Sequence, residues 1–452
     1  MTTKNEVFGY LPDERPQVIE LFFFALQQIV VMFTATVLVA LITGFHVSTT
    51  IFASGLATLG FIFITGKKIP LYYGSSFAYI AAIASIMSAD SLAAATLNEK
   101  ISVAQFGIIM SGFVSIIAGF IIQKSGKDTI DKILPPTVTG SIAIIIGLSL
   151  AANAMTNAAY VPAGVIESQL EFAGSLSWVI AIITLISTIL YSVYLKGKLS
   201  QLPILFGMVT GYIAAVIIGL ITDIPFVVFD TVKSSGILSI PIFTLPKPSL
   251  MAVVAIMPIA IATIPESTAH IYQLDIYVND LAKKKNVNKK YDIESKLGLN
   301  LIGDGIGDII SGFIGGPAGT NYGENISAMA ISKNFSVHVL MLAAVLTMII
   351  SCFTPLINVV YSIPNPVIGG LSIYLFGVIA AQGITIMMDK KVDMFSSKNL
   401  AVIAVILIVG LGGSFGFEGG MIPMFGIELP AIATAAIVGI LLNLMLSIGK
   451  VK

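Results

Sequence analysis

The chain has 452 residues, of which 56% are hydrophobic and only 11% are charged, and its formal net charge is zero. Soluble domains carry roughly 25% charged residues, so a chain this apolar must be surrounded by lipid. The balanced charge argues against nucleic acid as a partner. The single cysteine, Cys352, excludes an internal disulfide and a multi-cysteine metal site. We therefore expect an all-α membrane protein that crosses the bilayer many times.

Residues 1–16 are polar and mixed in charge, which predicts an N-terminal tail and not a signal peptide. Beyond the tail, apolar runs long enough to span a bilayer recur along the chain. The twelve predicted spans are 18–42, 49–65, 103–123, 136–153, 175–195, 203–221, 249–272, 296–313, 336–356, 366–386, 398–413 and 430–449. Two further apolar runs, 77–89 and 323–332, have about half the required length. Each follows a glycine-rich extended stretch, so we interpret them as half-helices preceded by short strands, in segments 3 and 10 of fourteen.

The positive charges agree with fourteen segments. If the N-terminus is cytoplasmic, all but three of the 24 Lys and Arg residues fall on the cytoplasmic side, the exceptions being Lys100, Lys233 and Lys247. The positive-inside rule describes this asymmetry. Omitting one half-helix would reverse every later loop, so the pattern favours both half-helices and places both termini in the cytoplasm.

The two halves of the chain share a pattern of small residues. Matching positions, separated by a constant offset, are Pro136, Gly140, Gly147 and Ala151 against Pro366, Gly370, Gly377 and Ala381. Each half then holds seven segments, and an odd number inserts the two halves with opposite orientation, as in many secondary transporters. The competing interpretation is that small residues recur by chance in membrane helices.

The polar run GGPAGTNYGENISAMAI, residues 315–331, lies deep inside this apolar chain. A half-helix that begins there directs free backbone N–H groups at the bilayer middle, which is tolerated only where protein or a water-filled cavity covers it. Ionisable residues at that depth are expensive and are functional candidates. They are Glu266, His270, Asp304, Asp308 and Glu324, together with Asp90 near the outer end of segment 3.

Two carboxylates and an imidazole suit a ligand with N–H donors, while half-helix N–H groups suit carbonyl oxygens. With Phe77 offering a flat aromatic face, the set Glu266, His270 and Glu324 predicts a planar, neutral, amide-like heterocycle that is moved with protons. The absence of Lys and Arg near these residues disfavours an anionic substrate.

Purely structural roles are open for the same residues. Glu324 could cap its half-helix, Glu266 could be structural, His270 could be a satisfied core residue, and Phe77 could be ordinary packing. For Asp304 and Asp308 the sequence favours a structural role.

At these residues the sequence resembles the nucleobase–ascorbate transporter family, also called nucleobase–cation symporter-2. The matching stretches are LQQIVVMFTATVLVA (26–40), KIPLYYGSSFAYI (68–80), ESTAH (266–270), SGFIGGPAGTNYGENISAMAI (311–331), SIPNPVIGGLSIYLFGV (362–378) and KNLAVIAVILIVGLGG (398–413). The GEN tripeptide at 323–325 is similar to the pyrimidine branch, whereas purine members usually have glutamine and asparagine there.

The resemblance implies import of uracil by proton symport across the cytoplasmic membrane, with alternating access between two domains, and no enzymatic activity or cofactor. The implied core domain comprises residues 17–135 and 249–357, and the gate domain comprises residues 136–222 and 362–449. Homodimers through the gate domain are known in the family.

The resemblance also implies roles for individual residues. Glu266 and Glu324 would bind the base, Phe77 would pack on it, and the backbones of Phe77 and Gly323 would donate hydrogen bonds. Tyr322 and Ala35 would line the site, and His270 would orient Glu266 and share the proton path.

Two departures from the family pattern concern the substrate and its coupling. Gln27–Gln28 stands where a glutamine–histidine pair is common, which removes a titratable group. Phe376 replaces an expected tyrosine, with Tyr374 two residues earlier.

Three other functions remain open. A purine or xanthine permease of the same family is the nearest, and an anion exchanger or channel of the same fold is second. An intramembrane enzyme is the weakest, since the sequence has no clustered histidines or Cys–His pair.

Overall fold

A computed structural model describes residues 9–125, 134–228, 236–424 and 427–448. The first eight residues of the predicted N-terminal tail, Lys233 and the last four residues therefore lie outside the described part. The first helices and strand are α1 (Val18–Thr43), α2 (Val47–Ile64), β1 (Tyr73–Ser75), α3 (Ile80–Met87), α4 (Leu97–Ser125), α5 (Pro136–Ser149), α6 (Ala151–Ala158), α7 (Leu170–Tyr194) and α8 (Pro203–Thr222). A short 3₁₀ turn, Phe77–Tyr79, precedes α3.

The second half of the chain, as far as it is described, is also mainly helical. Its elements are α9 (Leu250–Ile256), α10 (Ile259–Lys284), α11 (Leu297–Ile314), β2 (Gly319–Asn321), α12 (Gly323–Ser332), α13 (Val337–Ile350), α14 (Thr354–Tyr361), α15 (Asn365–Asp389), α16 (Ser397–Gly416), β3 (Met421–Met424), β4 (Ile427–Pro430) and α17 (Ala431–Ile448).

Eleven helical spans within the described residues are long and apolar enough to cross a membrane, one fewer than the sequence predicts. The difference lies in the segment predicted at 336–356. Helix α13 ends at Ile350 and α14 starts at Thr354, so neither piece spans alone. Pro355 lies in the first turn of α14, where its fixed φ and missing N–H favour a new helix start.

The chain divides into two compact units. Unit one comprises Met1–Tyr79, Asp90–Lys132 and Pro241–Ser351, as far as these ranges are described. It contains the antiparallel pair β1–β2, which lies between the long helices α2 and α11. Unit two comprises Ile80–Ala89, Ile133–Ile240 and Cys352–Lys452 within the described residues, and it contains the hairpin β3–β4. The sequence does not predict this hairpin.

Helices α4 and α11 of unit one pack closely because glycines face each other. A Cβ atom on Gly305 would lie 2.3 Å from the carbonyl oxygen of Gly112, and one on Gly112 would lie 2.5 Å from that of Gly305. Seven residues along each helix, Gly119 and Gly298 repeat the arrangement. In unit two, Gly140 of α5 and Gly383 of α15 make the same reciprocal contact. Small residues let membrane helices approach at backbone distance, where van der Waals contacts supply the association energy.

This packing predicts that Gly305→Ala lowers the melting temperature of the protein in detergent. The added methyl group meets backbone atoms that cannot move aside, and overpacking of this kind costs about 1–3 kcal/mol. Gly377→Ala in α15 is the matched control, since nothing lies within 4 Å of its Cβ position. Equal melting temperatures for Gly305→Ala and the wild type would contradict the close α4–α11 contact.

Candidate functional site

Helix α10 carries two of the predicted site residues and contains a proline between its ends. Pro265 lacks the N–H that would bond the carbonyl of Ile261, so the helix loses one backbone hydrogen bond beside Glu266. Glu266 is exposed although it lies inside a long apolar helix, while its neighbours Ile264 and Ser267 are buried. The carboxylate therefore faces open space and not the packed interior.

The second group of site residues follows the antiparallel pair β1–β2. Tyr73 pairs with Asn321 and Ser75 with Gly319, and all strand residues are buried. Helix α12 begins at Gly323, directly after β2, and has Glu324 in its first turn. The first N–H groups of a helix have no partner within it, and the helix dipole makes this end positive. Gly323 and Glu324 thus form a short region that can receive acceptor atoms.

Helix α10 packs against α12, against β2 and against the Phe77–Tyr79 turn. Glu266 and Glu324 are both exposed, and Phe77 is half-buried. The structure therefore brings Glu266, Glu324, Phe77 and Gly323 to one region of unit one.

The ring of His270 lies against Gly323. A Cβ atom on Gly323 would be 2.8 Å from Nε2 of His270. The other nitrogen, Nδ1, is buried and has no hydrogen-bond partner. Within the described part of the chain, no hydrogen bond joins His270 to Glu266. Orientation of Glu266 by His270 therefore stays a prediction.

Tyr322 and Ala35 are buried, with 4% and 3% of their surfaces exposed. The Tyr322 hydroxyl donates to the Ser75 carbonyl at 2.9 Å and pairs with the Thr36 hydroxyl at 3.0 Å. The ring of Tyr322 also covers Gly74, leaving no room for a side chain there. Tyr322 thus links α1 to β1 through its hydroxyl group.

A buried acid network supports the site and was not predicted as a unit. The Ser267 hydroxyl donates to Oδ2 of Asp304 at 2.6 Å, and Nδ2 of Asn300 donates to the same oxygen at 3.3 Å. The Tyr73 hydroxyl donates to Oδ1 of Asp308 at 2.5 Å, and the Gly319 N–H at 2.8 Å. The i, i+4 spacing of the two aspartates on α11 was the available signal.

Gln28, the departure in the first segment, is buried and bonds the residue after Glu324. Its side-chain oxygen accepts from Nδ2 of Asn325 at 2.8 Å, and its backbone carbonyl accepts from the same group at 3.0 Å. This amide pair ties α1 to the first turn of α12 without a titratable group.

The second departure belongs to unit two. The Tyr374 hydroxyl pairs with the Ser192 hydroxyl of α7 at 2.5 Å. Phe376 is only 2% exposed, and its backbone carbonyl would meet a side chain placed on Gly147. Neither residue belongs to the unit that carries Glu266 and Glu324. Among the described residues, no group of three or more His, Cys, Asp or Glu side chains could hold a metal ion.

Comparison with known proteins gives matches over nearly the whole chain. A family model for xanthine and uracil permeases, described as "Permease family", matches residues 19–419. The uracil permease of Bacillus caldolyticus is 36% identical over 440 residues, covering 96% of this chain and 93% of the relative. The uracil permease of Escherichia coli strain K12 is 33% identical, covering 97% of this chain and 94% of the relative.

Solved structures share the fold at low sequence identity. The murine Solute Carrier 26 family member A9 anion transporter, in its inward-facing state, superposes with a TM-score of 0.64 at 13% identity, covering 96% of this chain and 69% of that one. The transmembrane domain of the cyanobacterial bicarbonate transporter BicA gives 0.55 at 12% identity, covering 94% and 96%. These likenesses, with the many apolar helices, show a mostly helical, multi-pass membrane transporter fold.

The His270–Gly323 contact predicts a double-mutant result. Gly323→Ala alone lowers the melting temperature because the methyl group collides with Nε2. In a His270→Ala background the same change is neutral or stabilising, since alanine favours a helix more than glycine does. A coupling above about 0.5 kcal/mol between the two changes is expected for residues in contact. Additive effects would show that the two residues do not touch.

Proposed function

The chain belongs to the nucleobase–ascorbate transporter family of xanthine and uracil permeases, and we propose that it imports uracil across the cytoplasmic membrane by proton symport. The observation that carries the proposal is the pair of exposed carboxylates, Glu266 and Glu324, on helices that pack together in unit one. Relatives named as uracil permeases match this chain over almost all of its length.

Uracil offers groups that complement this region. Its two ring N–H groups donate to carboxylates, and its two carbonyl oxygens accept from backbone N–H groups. In the proposed arrangement Glu266 and Glu324 accept from the base, the N–H groups of Gly323 and Phe77 donate to it, and the Phe77 ring packs on its face. Tyr322 and Ala35 would line the site.

Protons would move with the base through Glu266, His270 and Glu324. Symport requires the proton and the base to be bound together, so one carboxyl group would be protonated in the loaded carrier and would release its proton with the base before the empty carrier returns. A protonated carboxyl group still accepts from a uracil N–H through its carbonyl oxygen, and a neutral group is less costly inside the membrane than a charged one. The unpartnered, buried Nδ1 of His270 supports a role in holding or passing the proton.

We also propose an arrangement of the membrane segments. Fourteen segments would form two inverted repeats of seven, with half-helices in segments 3 and 10. The core domain would correspond to unit one together with Ile80–Ala89, which the contacts group with unit two, and the gate domain would correspond to the rest of unit two. Alternating access would follow from movement between the two domains. Both termini would be cytoplasmic, as the lysine distribution supports, and homodimers would form through the gate domain.

The two solved structures with the same fold are an anion transporter and a bicarbonate transporter, but a shared fold does not establish a shared function. An anion site would need a cation at the half-helices, and residues 77–87 and 323–332 contain neither Lys nor Arg. A purine permease is the closer alternative. Inhibition of uptake by xanthine but not by uracil would favour it.

The test is uracil uptake by Glu266→Gln and Glu324→Gln variants. Each change removes a charged acceptor, and a hydrogen bond to a charged group contributes about 1.5–3 kcal/mol, which is roughly 10- to 150-fold in the dissociation constant. Asp90→Asn, which neutralises an exposed carboxylate in a short 3₁₀ turn, is the control and should transport normally.

Melting temperature and the amount of protein in the membrane must be measured for all three variants. Normal uracil affinity and uptake in both glutamine variants would refute the proposed site.

A further inference from the structure

The described residues before α1, 9–17, fold against the rest of unit one. We name residues 9–14 the N-terminal strap. The N–H of Tyr10 donates to the carbonyl of Lys333 at 2.8 Å, and the N–H of Phe335 donates to the carbonyl of Tyr10 at 2.8 Å. The N–H of Val337 donates to the carbonyl of Pro12 at 3.1 Å. The strap thus continues as a short backbone ladder along the segment that joins α12 to α13.

The strap passes between the ends of two site helices. A Cβ atom on Gly9 would lie 2.8 Å from the carbonyl oxygen of Lys333, at the end of α12, and 2.9 Å from the side chain of Leu281, near the end of α10. Gly9 has φ +148°, a conformation that other residues rarely adopt. Leu11 is 1% exposed and anchors the strap in the core.

Two ion pairs hold the strap to the loop that follows α10. Nζ of Lys285 donates to Oε2 of Glu14 at 2.6 Å and to the carbonyl of Gly9 at 2.9 Å. Nζ of Lys289 donates to Oδ2 of Asp13 at 2.6 Å. Burial raises the pKa of Asp13, but hydrogen bonds from Lys289 and Tyr291 outweigh burial and hold this pKa below its usual value. The carboxylate is therefore charged at neutral pH.

We propose that the strap is a positioning element for the substrate site, setting the relative position of α10 and α12 from the ends opposite Glu266 and Glu324. Fifteen residues separate Glu266 from Leu281, which is about 22 Å of helix, and nine separate Glu324 from Lys333, which is about 14 Å. Helices carry a displacement over such lengths as rigid elements. Binding groups must be held to within about 0.5 Å to act together.

The inference rests on the proposed function, since the expected effect is on uracil affinity. A positioning role and a purely stabilising role predict different measured effects when the strap is released. If the strap only stabilises the fold, its release would lower the melting temperature and leave the dissociation constant and KM for uracil unchanged. Release of a positioning strap raises both constants in protein that is still folded.

The test compares two double variants with the same loss of charge. Lys285→Ala/Lys289→Ala removes both ion pairs that hold the strap. Lys283→Ala/Lys284→Ala removes two lysines from the end of the same helix, where Lys284 pairs with Asp280 on its own helix face and not with the strap. Hydrogen exchange at the amides of Tyr10 and Phe335 reports whether the strap is released.

The first variant should lose protection at Tyr10 and Phe335 and raise the uracil dissociation constant and KM about tenfold, with a smaller change in maximal rate. Lys285→Arg/Lys289→Arg, which keeps both charges, should restore wild-type values, and the Lys283/Lys284 variant should match the wild type. If the first variant is not recovered folded, Lys289→Ala alone enters the same measurements, with a smaller rise expected.

Faster hydrogen exchange at Tyr10 and Phe335 with unchanged uracil affinity would overturn the inference. Unchanged hydrogen exchange at these amides would also overturn it, because the ion pairs would then not hold the strap. Absence of uracil binding by the wild-type protein would instead overturn the proposed function.

Discussion

The structure depends on satisfying backbone hydrogen bonds where the chain is not helical inside an apolar protein. No water is available in the bilayer core, so each free N–H and C=O must find a protein partner. The β1–β2 ladder supplies part of the answer. Side chains supply the rest: Ser54 and Thr58 donate to the Tyr73 carbonyl, Ser311 donates to the Pro317 carbonyl, and Asp308 accepts from the Gly319 N–H.

This support has a functional consequence. Because side chains of α2 and α11 hold the strands by hydrogen bonds, and Gly307 of α11 packs directly on the Tyr73 ring, the turn at Phe77 and the start of α12 are fixed before any ligand binds. Polar groups aimed at a site by rigid elements lose little entropy when they bind. The carboxylates of Glu266 and Glu324 differ from these buried polar groups because they are exposed. They are therefore the groups that a ligand can reach.

Sequence patterns predicted much of this scaffold for physical reasons. Spanning length, glycine-rich breaks and the lysine asymmetry located the long helices and the start of α12 at Gly323, since each depends on local composition. Glu266 and Glu324 were recognisable because charge deep in an apolar run is costly. The break between α13 and α14 was missed because residues 336–356 read as one apolar run.

Other features depend on tertiary contacts that no local pattern reveals. The Ser267–Asp304 hydrogen bond and the Gln28–Asn325 amide pair join residues far apart in sequence. From the sequence, the N-terminal strap resembles a polar tail. Its ion-pair partners, Lys285 and Lys289, are more than 270 positions away along the chain, so no local pattern shows them. Gln28 illustrates the gain from structure: the sequence marks it as a lost titratable group, whereas the fold shows it holding α12 beside Glu324.

The most direct measurement of the central claim is uptake of radiolabelled uracil into proteoliposomes that contain the purified protein, with and without an inward-directed proton gradient. The account predicts uracil accumulation above equilibrium when the gradient is present, and its collapse on adding a protonophore. Equal uptake with and without the gradient would contradict proton symport. No uracil uptake under either condition would contradict the assignment of Glu266 and Glu324 as a uracil site.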